Sequence, residues 1–294
     1  VVGFTDNSHG DTVGAMSVST LDEFGAIFAP LLFGRNEAPT VREGADWERV
    51  FSLLIETLEA NADEVAGVVV EPLVQGAAGM RIYPPALLRA LREACDRVDT
   101  FLIADEVFTG YGRTGKMWAC DHAEVVPDLL CTAKGFSGGL LPFSATLATE
   151  RLYEGFRGNA MRAFLHGHTF CVNPLDAAVA LEVLSIYRDE KIVEGAERRG
   201  RQVAAAFEAL GALPGVRRSR SLGMIGACDL GEGGYHGSVG WKVHEAARRR
   251  GVALRPLCDV VYVVPQLTID EADLKKLLDV VTESLREVMT SSSP

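Results

Sequence analysis

Two residues of this chain carry side chains suited to joint chemistry, Asp105 and Lys134, 29 positions apart. Asp105 ends the apolar run Phe101-Leu102-Ile103-Ala104. A carboxylate at the end of a buried strand is costly unless a cationic partner meets it. Lys134 stands in Cys131-Thr132-Ala133-Lys134-Gly135-Phe136-Ser137-Gly138-Gly139, where small neighbours leave room for a bulky aldehyde. Partial burial there would favour its use as a nucleophile. Each residue alone has a plainer reading: Asp105 as a helix cap or structural ion pair, Lys134 as a solvated surface base. Together, acid and amine suit a cofactor that carries both a basic ring nitrogen and an aldehyde.

The elements that would position them follow from hydrophobic patterning. Val65-Ala66-Gly67-Val68-Val69-Val70 is a continuous apolar run, expected as a buried strand of a parallel sheet ending at Glu71-Pro72. Leu87, Leu88, Leu91 and Ala94 recur at helical spacing within 84–97, and a proline opens the segment. Phe101–Ala104 is the next buried strand, and Leu129–Thr132 and Ser144–Ala148 are shorter ones. Strands alternating with helices predict an α/β sheet with right-handed crossovers, whose ligands bind beyond the carboxyl ends of the strands. Asp105 and Glu71 both stand at such ends. After Asn173-Pro174 the pattern changes to long helices over 175–187, 192–210, 239–250 and 269–288. Strands are expected at 221–229, 252–254 and 260–264. The predicted division is a large domain over 1–173 and a smaller α+β domain over 174–294, with Ser291–Pro294 a frayed end.

Bulk properties exclude several classes. The net charge of −11 disfavours nucleic acid or an anionic membrane as partner, and no apolar run is long enough to span a bilayer. No secretory signal is visible, and six scattered cysteines without metal-ligand spacing predict reduced thiols in a cytoplasmic protein. The chain opens at Val1 with no methionine, as a mature segment or fragment would.

Further segments surround the central pair. Gly110-Tyr111-Gly112-Arg113-Thr114-Gly115-Lys116 lacks the spacing of a nucleotide-binding loop and predicts a tight connection under a cofactor or at a subunit interface. His166-Gly167-His168-Thr169-Phe170 offers a hydroxyl and backbone N–H groups to a phosphate. Its histidine pair lacks the companions a metal needs, so no metal is expected. Ser8-His9-Gly10-Asp11-Thr12 reads as a loop entering a helix. The acid, the lysine and a phosphate-holding segment together fit pyridoxal 5′-phosphate, with Asp105 on the ring nitrogen and Lys134 as the Schiff-base lysine.

Asp105-Glu106-Val107, Gly110-x-Gly112-Arg113-Thr114-Gly115, Pro127-Asp128 and Lys134-Gly135 occur in the order and spacing of the class III aminotransferases, which this chain closely resembles from about Phe4 to its last helix. The resemblance implies fold type I of the pyridoxal phosphate transferases and a homodimer with shared active sites. It implies that Lys134 binds the cofactor and moves the substrate proton, that Asp105 pairs the ring nitrogen, and that Val107 packs on the ring. His168 and Thr169 would contact the phosphate in the partner subunit's site. Gly167 and Ser8 would lie beside the substrate, and Arg255 would take its carboxylate. Gln75-Gly76-Ala77, the His166–Phe170 segment and Gly251–Pro256 point to the branch that aminates 8-amino-7-oxononanoate to 7,8-diaminononanoate in biotin biosynthesis, with S-adenosylmethionine as donor.

Two departures qualify the resemblance. Ser8 stands where the family has a stacking aromatic residue before His-Gly-Asp. Family members also extend further ahead of the matching point, with a Ser/Gly-rich phosphate cup and substrate-recognition aromatics. Another class III aminotransferase acting on ω-amino acids or amines, and a non-catalytic chain retaining the fold, remain alternatives.

Overall fold

A computed structural model describes residues 1–3, 6–19, 26–33, 36–37, 46–231 and 237–291. Ser292–Pro294, expected as a frayed end, and Phe4 lie outside the described residues. The chain divides into two compact units. The first comprises residues 1–73, 83–111 and 118–190, and the second 74–82, 112–117 and 191–294. The helix Pro174–Asp189, which the sequence reading assigned to the smaller domain, belongs to the first unit.

The first unit is built on a six-stranded sheet. Its order is Asn36–Glu37, Val2–Gly3, Gly67–Val70, Phe101–Asp105, Leu129–Thr132, Ala145–Ala148. The first five are parallel, and the last pairs antiparallel. Gly67–Val70 is buried along its whole length, as a central parallel strand must be. The helix Trp47–Ala60 starts because Asp46 accepts from the Glu48 and Arg49 N–H groups at 3.1 and 3.4 Å. It buries Val50, Phe51, Leu54 and Leu58 on one stripe. Pro85–Arg97 buries Leu88, Leu91, Ala94 and Cys95 in the same way.

Pro127-Asp128 has a structural task. Asp128 accepts from the Leu102 N–H at 2.8 Å and from Arg92 at 2.6 Å. The Asp128 N–H returns a bond to the Leu102 carbonyl at 2.9 Å, so the chain enters Leu129–Thr132 already registered on its neighbour.

The second unit holds a three-stranded antiparallel sheet with Ile225–Leu230 between Val216–Leu222 and Val260–Val263. The helices Ile192–Leu210, Val239–Arg249 and Glu271–Ser291 bury Phe207, Val243, Leu274 and Leu285 with Met224 and Leu230. Two expectations are corrected here. The run 221–229 is a hairpin, because Gly223 takes φ +54° and reverses the chain. Residues 252–254 form no strand: Gly251 turns at φ +81° and Pro256 has no N–H to donate, which leaves little room for pairing between them.

Candidate active site

Parallel pairing brings the two chemical residues to one edge of the first unit. Asp105 is the last residue of its strand and lies opposite Cys131 on the next. The Glu106 N–H then bonds to the Cys131 carbonyl at 2.9 Å. Both chains leave the sheet at its carboxyl end, and Lys134 follows Cys131 by one short turn. The Lys134 Nζ sits 5.6 Å from the centre of the Phe108 ring, three residues beyond Asp105.

Asp105 is nearly buried, its side chain 12% exposed. Its Oδ1 accepts from the Val107 N–H at 3.1 Å. Its Oδ2 lies 2.8 Å from Nδ1 of His9, in the loop ahead of the helix Val13–Val18. The cationic partner expected for this acid has thus a companion within the chain. The segment bearing His9 is tied to the strand ends: Asn7 donates to the Val69 carbonyl at 3.4 Å, and the Ser8 N–H to Glu71 Oε1 at 3.1 Å. The signal for His9 in the sequence is the motif His9-Gly10-Asp11 itself.

Lys134 corrects one expectation. It is exposed rather than partly buried, at the start of the turn Lys134–Ser137 that follows a four-residue strand. Its backbone is strained, with φ +44°, a left-handed conformation rare outside glycine. Next to it Gly135 touches the Tyr111 ring so closely that a Cβ there would lie 2.8 Å from Tyr111 atoms. Tyr111 also packs on Phe136 and Trp118, with ring centres 6.1 and 4.9 Å apart. Burial and then the charge of Asp105 push the Cys131 thiol up.

Glu106 was not singled out from sequence. It is fully buried and accepts from the Thr109 hydroxyl at 2.6 Å and the Ala119 and Cys120 N–H groups at 3.0 and 2.9 Å. These bonds close the loop that carries Val107 and Phe108. Beyond it, residues 112–117 pack within the second unit: Arg113 donates to the Pro265 carbonyl at 2.7 Å, and its own carbonyl accepts from the Met224 N–H at 2.9 Å.

The remaining expected residues are placed as follows. Ser8 is half-buried beside His9. Gly167, His168 and Thr169 are exposed in an irregular stretch, with local contacts such as the Phe170 N–H on His168 Nδ1 at 3.1 Å. No hydrogen bond joins them to Asp105 or Lys134 among the described residues. Arg255 is exposed in the second unit, between Val239–Arg249 and Val260–Val263. Among the described residues no helix is long and apolar enough to cross a membrane, and no cluster of three or more His, Cys, Asp or Glu is placed to hold a metal.

The sequence profile described as Aminotransferase class-III matches residues 1–285. The chain belongs to the class-III aminotransferases. It is 38% identical to the adenosylmethionine-8-amino-7-oxononanoate aminotransferase of Geobacter sulfurreducens over 98% of its own length and 68% of the relative's. The protein of that name from Nitratidesulfovibrio vulgaris is 39% identical, and there the chain spans 96% of itself and 55% of the relative. The solved structure of the Methanocaldococcus jannaschii protein of that name superposes with a TM-score of 0.88 at 34% identity, covering 97% of this chain and 67% of that one. A thermostable ω-transaminase from Pseudomonas jessenii superposes with a TM-score of 0.90 at 26% identity, covering all of this chain and 69% of that one.

Class-III aminotransferases use pyridoxal 5′-phosphate, and this site fits part of it. Each oxygen of Asp105 keeps a lone pair after its bond to Val107 or His9, as an acceptor for a ring N–H requires. Lys134 presents an amine from the adjoining strand end.

Proposed function

We propose that the chain acts in the pyridoxal phosphate-dependent transamination of 8-amino-7-oxononanoate to 7,8-diaminononanoate in biotin biosynthesis, with S-adenosylmethionine as amino donor. The observation that carries this reading is the placing of Asp105 and Lys134 at the carboxyl ends of neighbouring parallel strands. The identity of more than a third to relatives of that name supports the substrate.

In this reading Lys134 binds the cofactor aldehyde and later holds the proton removed from the substrate carbon. Asp105 holds the ring nitrogen charged, and Val107 packs against the ring. The cofactor, when bound, supplies the electron sink for proton removal. Arg255 clamps the keto substrate's carboxylate, which a guanidinium can do with two parallel bonds. Gly167 and Ser8 border the substrate. His168 and Thr169 serve the phosphate in a partner's site within a cytoplasmic homodimer, an assignment supported by their exposure among the exposed apolar Met161, Leu165 and Val172.

A second reading, amine or ω-amino acid transamination, is favoured by the likeness to the ω-transaminase fold. Half-reaction spectroscopy of the holoenzyme separates the two. S-adenosylmethionine should convert the bound cofactor to its amino form. Conversion by ω-amino acids alone would refute the main reading, and conversion by lysine alone would replace the donor. A chain that forms no borohydride-stable adduct on Lys134 would instead be a non-catalytic bearer of the fold.

A further inference from the structure

Arg255 sits in a segment that no sheet ladder holds, since residues 252–254 form no strand. Its guanidinium has no hydrogen bond or ion pair among the described residues, so its backbone is what places it. Leu254 and Pro256 on either side are buried, Leu254 in the core of the second unit. A buried carbonyl outside a ladder needs a donor from elsewhere.

For Leu254 that donor is His244, on the helix Val239–Arg249: Nδ1 of the ring meets the Leu254 carbonyl oxygen. A carbonyl oxygen only accepts, so the hydrogen of this bond sits on Nδ1. The ring also packs on Trp241, one helical turn earlier, with ring centres 5.3 Å apart. The same helix is fastened to the chain beyond Arg255. Asp259 Oδ1 accepts from the Val239 and Gly240 N–H groups at 2.7 and 3.3 Å. A Cβ on Gly240 would lie 2.9 Å from Pro256 Cβ, so helix and segment touch there directly. Arg255 is thus carried between fixed points on one helix, and His244 supplies the one ahead of it.

We infer that His244 is a positioning residue for substrate recognition, holding the backbone ahead of Arg255 so that the guanidinium meets the substrate carboxylate at a fixed place. The inference rests on the role proposed above for Arg255 and adds to it a residue that acts through Arg255.

Two substrates separate this role from general packing. The holoenzyme and its variants are assayed for amination of 8-amino-7-oxononanoate and of its methyl ester, which lacks the charged carboxylate. The wild type should favour the acid in kcat/KM. His244→Leu, which has no donor, should cut that preference about three- to tenfold, the scale of one hydrogen bond. The change should fall on KM for the acid, with kcat and the ester little affected. His244→Asn keeps an N–H donor close to the Nδ1 position and should restore the preference. In an Arg255→Lys background His244→Leu should add little, because the two act as one. A wild type inert toward both substrates would overturn the proposed function and this inference with it. Equal use of acid and ester by the wild type would overturn the role of Arg255 and this inference, leaving transamination standing. An unchanged preference in His244→Leu, or an equal loss on acid and ester, would overturn the inference alone. Should His244→Leu fail to fold, His244→Phe, a ring without the donor, is read in its place. Imidazole nitrogen spectra of the wild type should show the hydrogen on Nδ1 of His244, and Nδ1 without it overturns the inference whichever variant folds.

Discussion

Asp105 and Cys131 lie opposite one another on neighbouring parallel strands, and the next peptide, at Glu106, bonds to the Cys131 carbonyl at 2.9 Å. This pairing fixes where the turn bearing Lys134 leaves the sheet, beside the strand end that bears Asp105.

Lys134→Ala is expected to abolish turnover and the borohydride-stable adduct. Since the side chain is exposed, the melting midpoint should correspond to a change within about 0.5 kcal/mol. Lys134→Gly should melt no lower than Lys134→Ala, since glycine enters the φ +44° region freely. Mass spectrometry of the reduced adduct and a thermal melt check both.

Asp105→Asn keeps an acceptor for the Val107 N–H and removes the charge that a protonated ring nitrogen requires. Single-turnover kinetics should show proton transfer slowed by about 10²–10⁴. A variant as fast as wild type would exclude the role given to Asp105.

Glu106→Gln should lower stability by about 1–3 kcal/mol, because an amide nitrogen cannot accept from the donors around it. Burial pushes the Glu106 carboxyl up, opposed by its bonds to Thr109, Cys120 and Ala119. The folded chain therefore holds this proton more tightly than the unfolded chain. That contribution is complete below the ordinary carboxylate range and declines as pH rises through the raised value. Urea midpoints from about pH 4 to about pH 8 should show a downward component that Glu106→Gln lacks.

Gly135→Ala places a methyl 2.8 Å from Tyr111 atoms. The Tyr111 ring or the turn must shift, at about 1–3 kcal/mol. A lower melting midpoint and a reduced adduct yield on Lys134 are expected together. An unchanged adduct yield would show that the turn does not position the lysine.

Arg255→Lys should raise KM for the keto substrate about tenfold, and leave the first half-reaction with the amino donor less affected. The residue is exposed, so thermal melting serves as the control for folding.

Much of the first unit could be read from sequence, since Gly67–Val70 and Phe101–Asp105 are short apolar runs bounded by clear breakers. The spacing of Asp105 and Lys134 and the motifs between them single out this pair in the sequence. His9 was not, because a hydrogen bond spanning 96 residues depends on tertiary packing that no local pattern encodes. Glu106 was overlooked for a related reason: beside Asp105 it reads as a second strand-end acid, and only the fold supplies its three donors. The hairpin within 221–229 was hidden because Gly223-Met224 interrupts no hydrophobic pattern, and Met224 is itself fully buried. The expected partial burial of Lys134 rests on small neighbours, yet small residues after a strand end equally leave a long side chain exposed.

The left-handed backbone at Lys134 has a consequence for how the sequence can drift. Glycine or asparagine would relax this position, so folding alone favours the replacements that delete the amine. Selection for a robust fold and selection for chemistry pull this codon in opposite directions. A lineage released from the need for the reaction should lose the lysine early, and gain a slightly steadier fold as it does so.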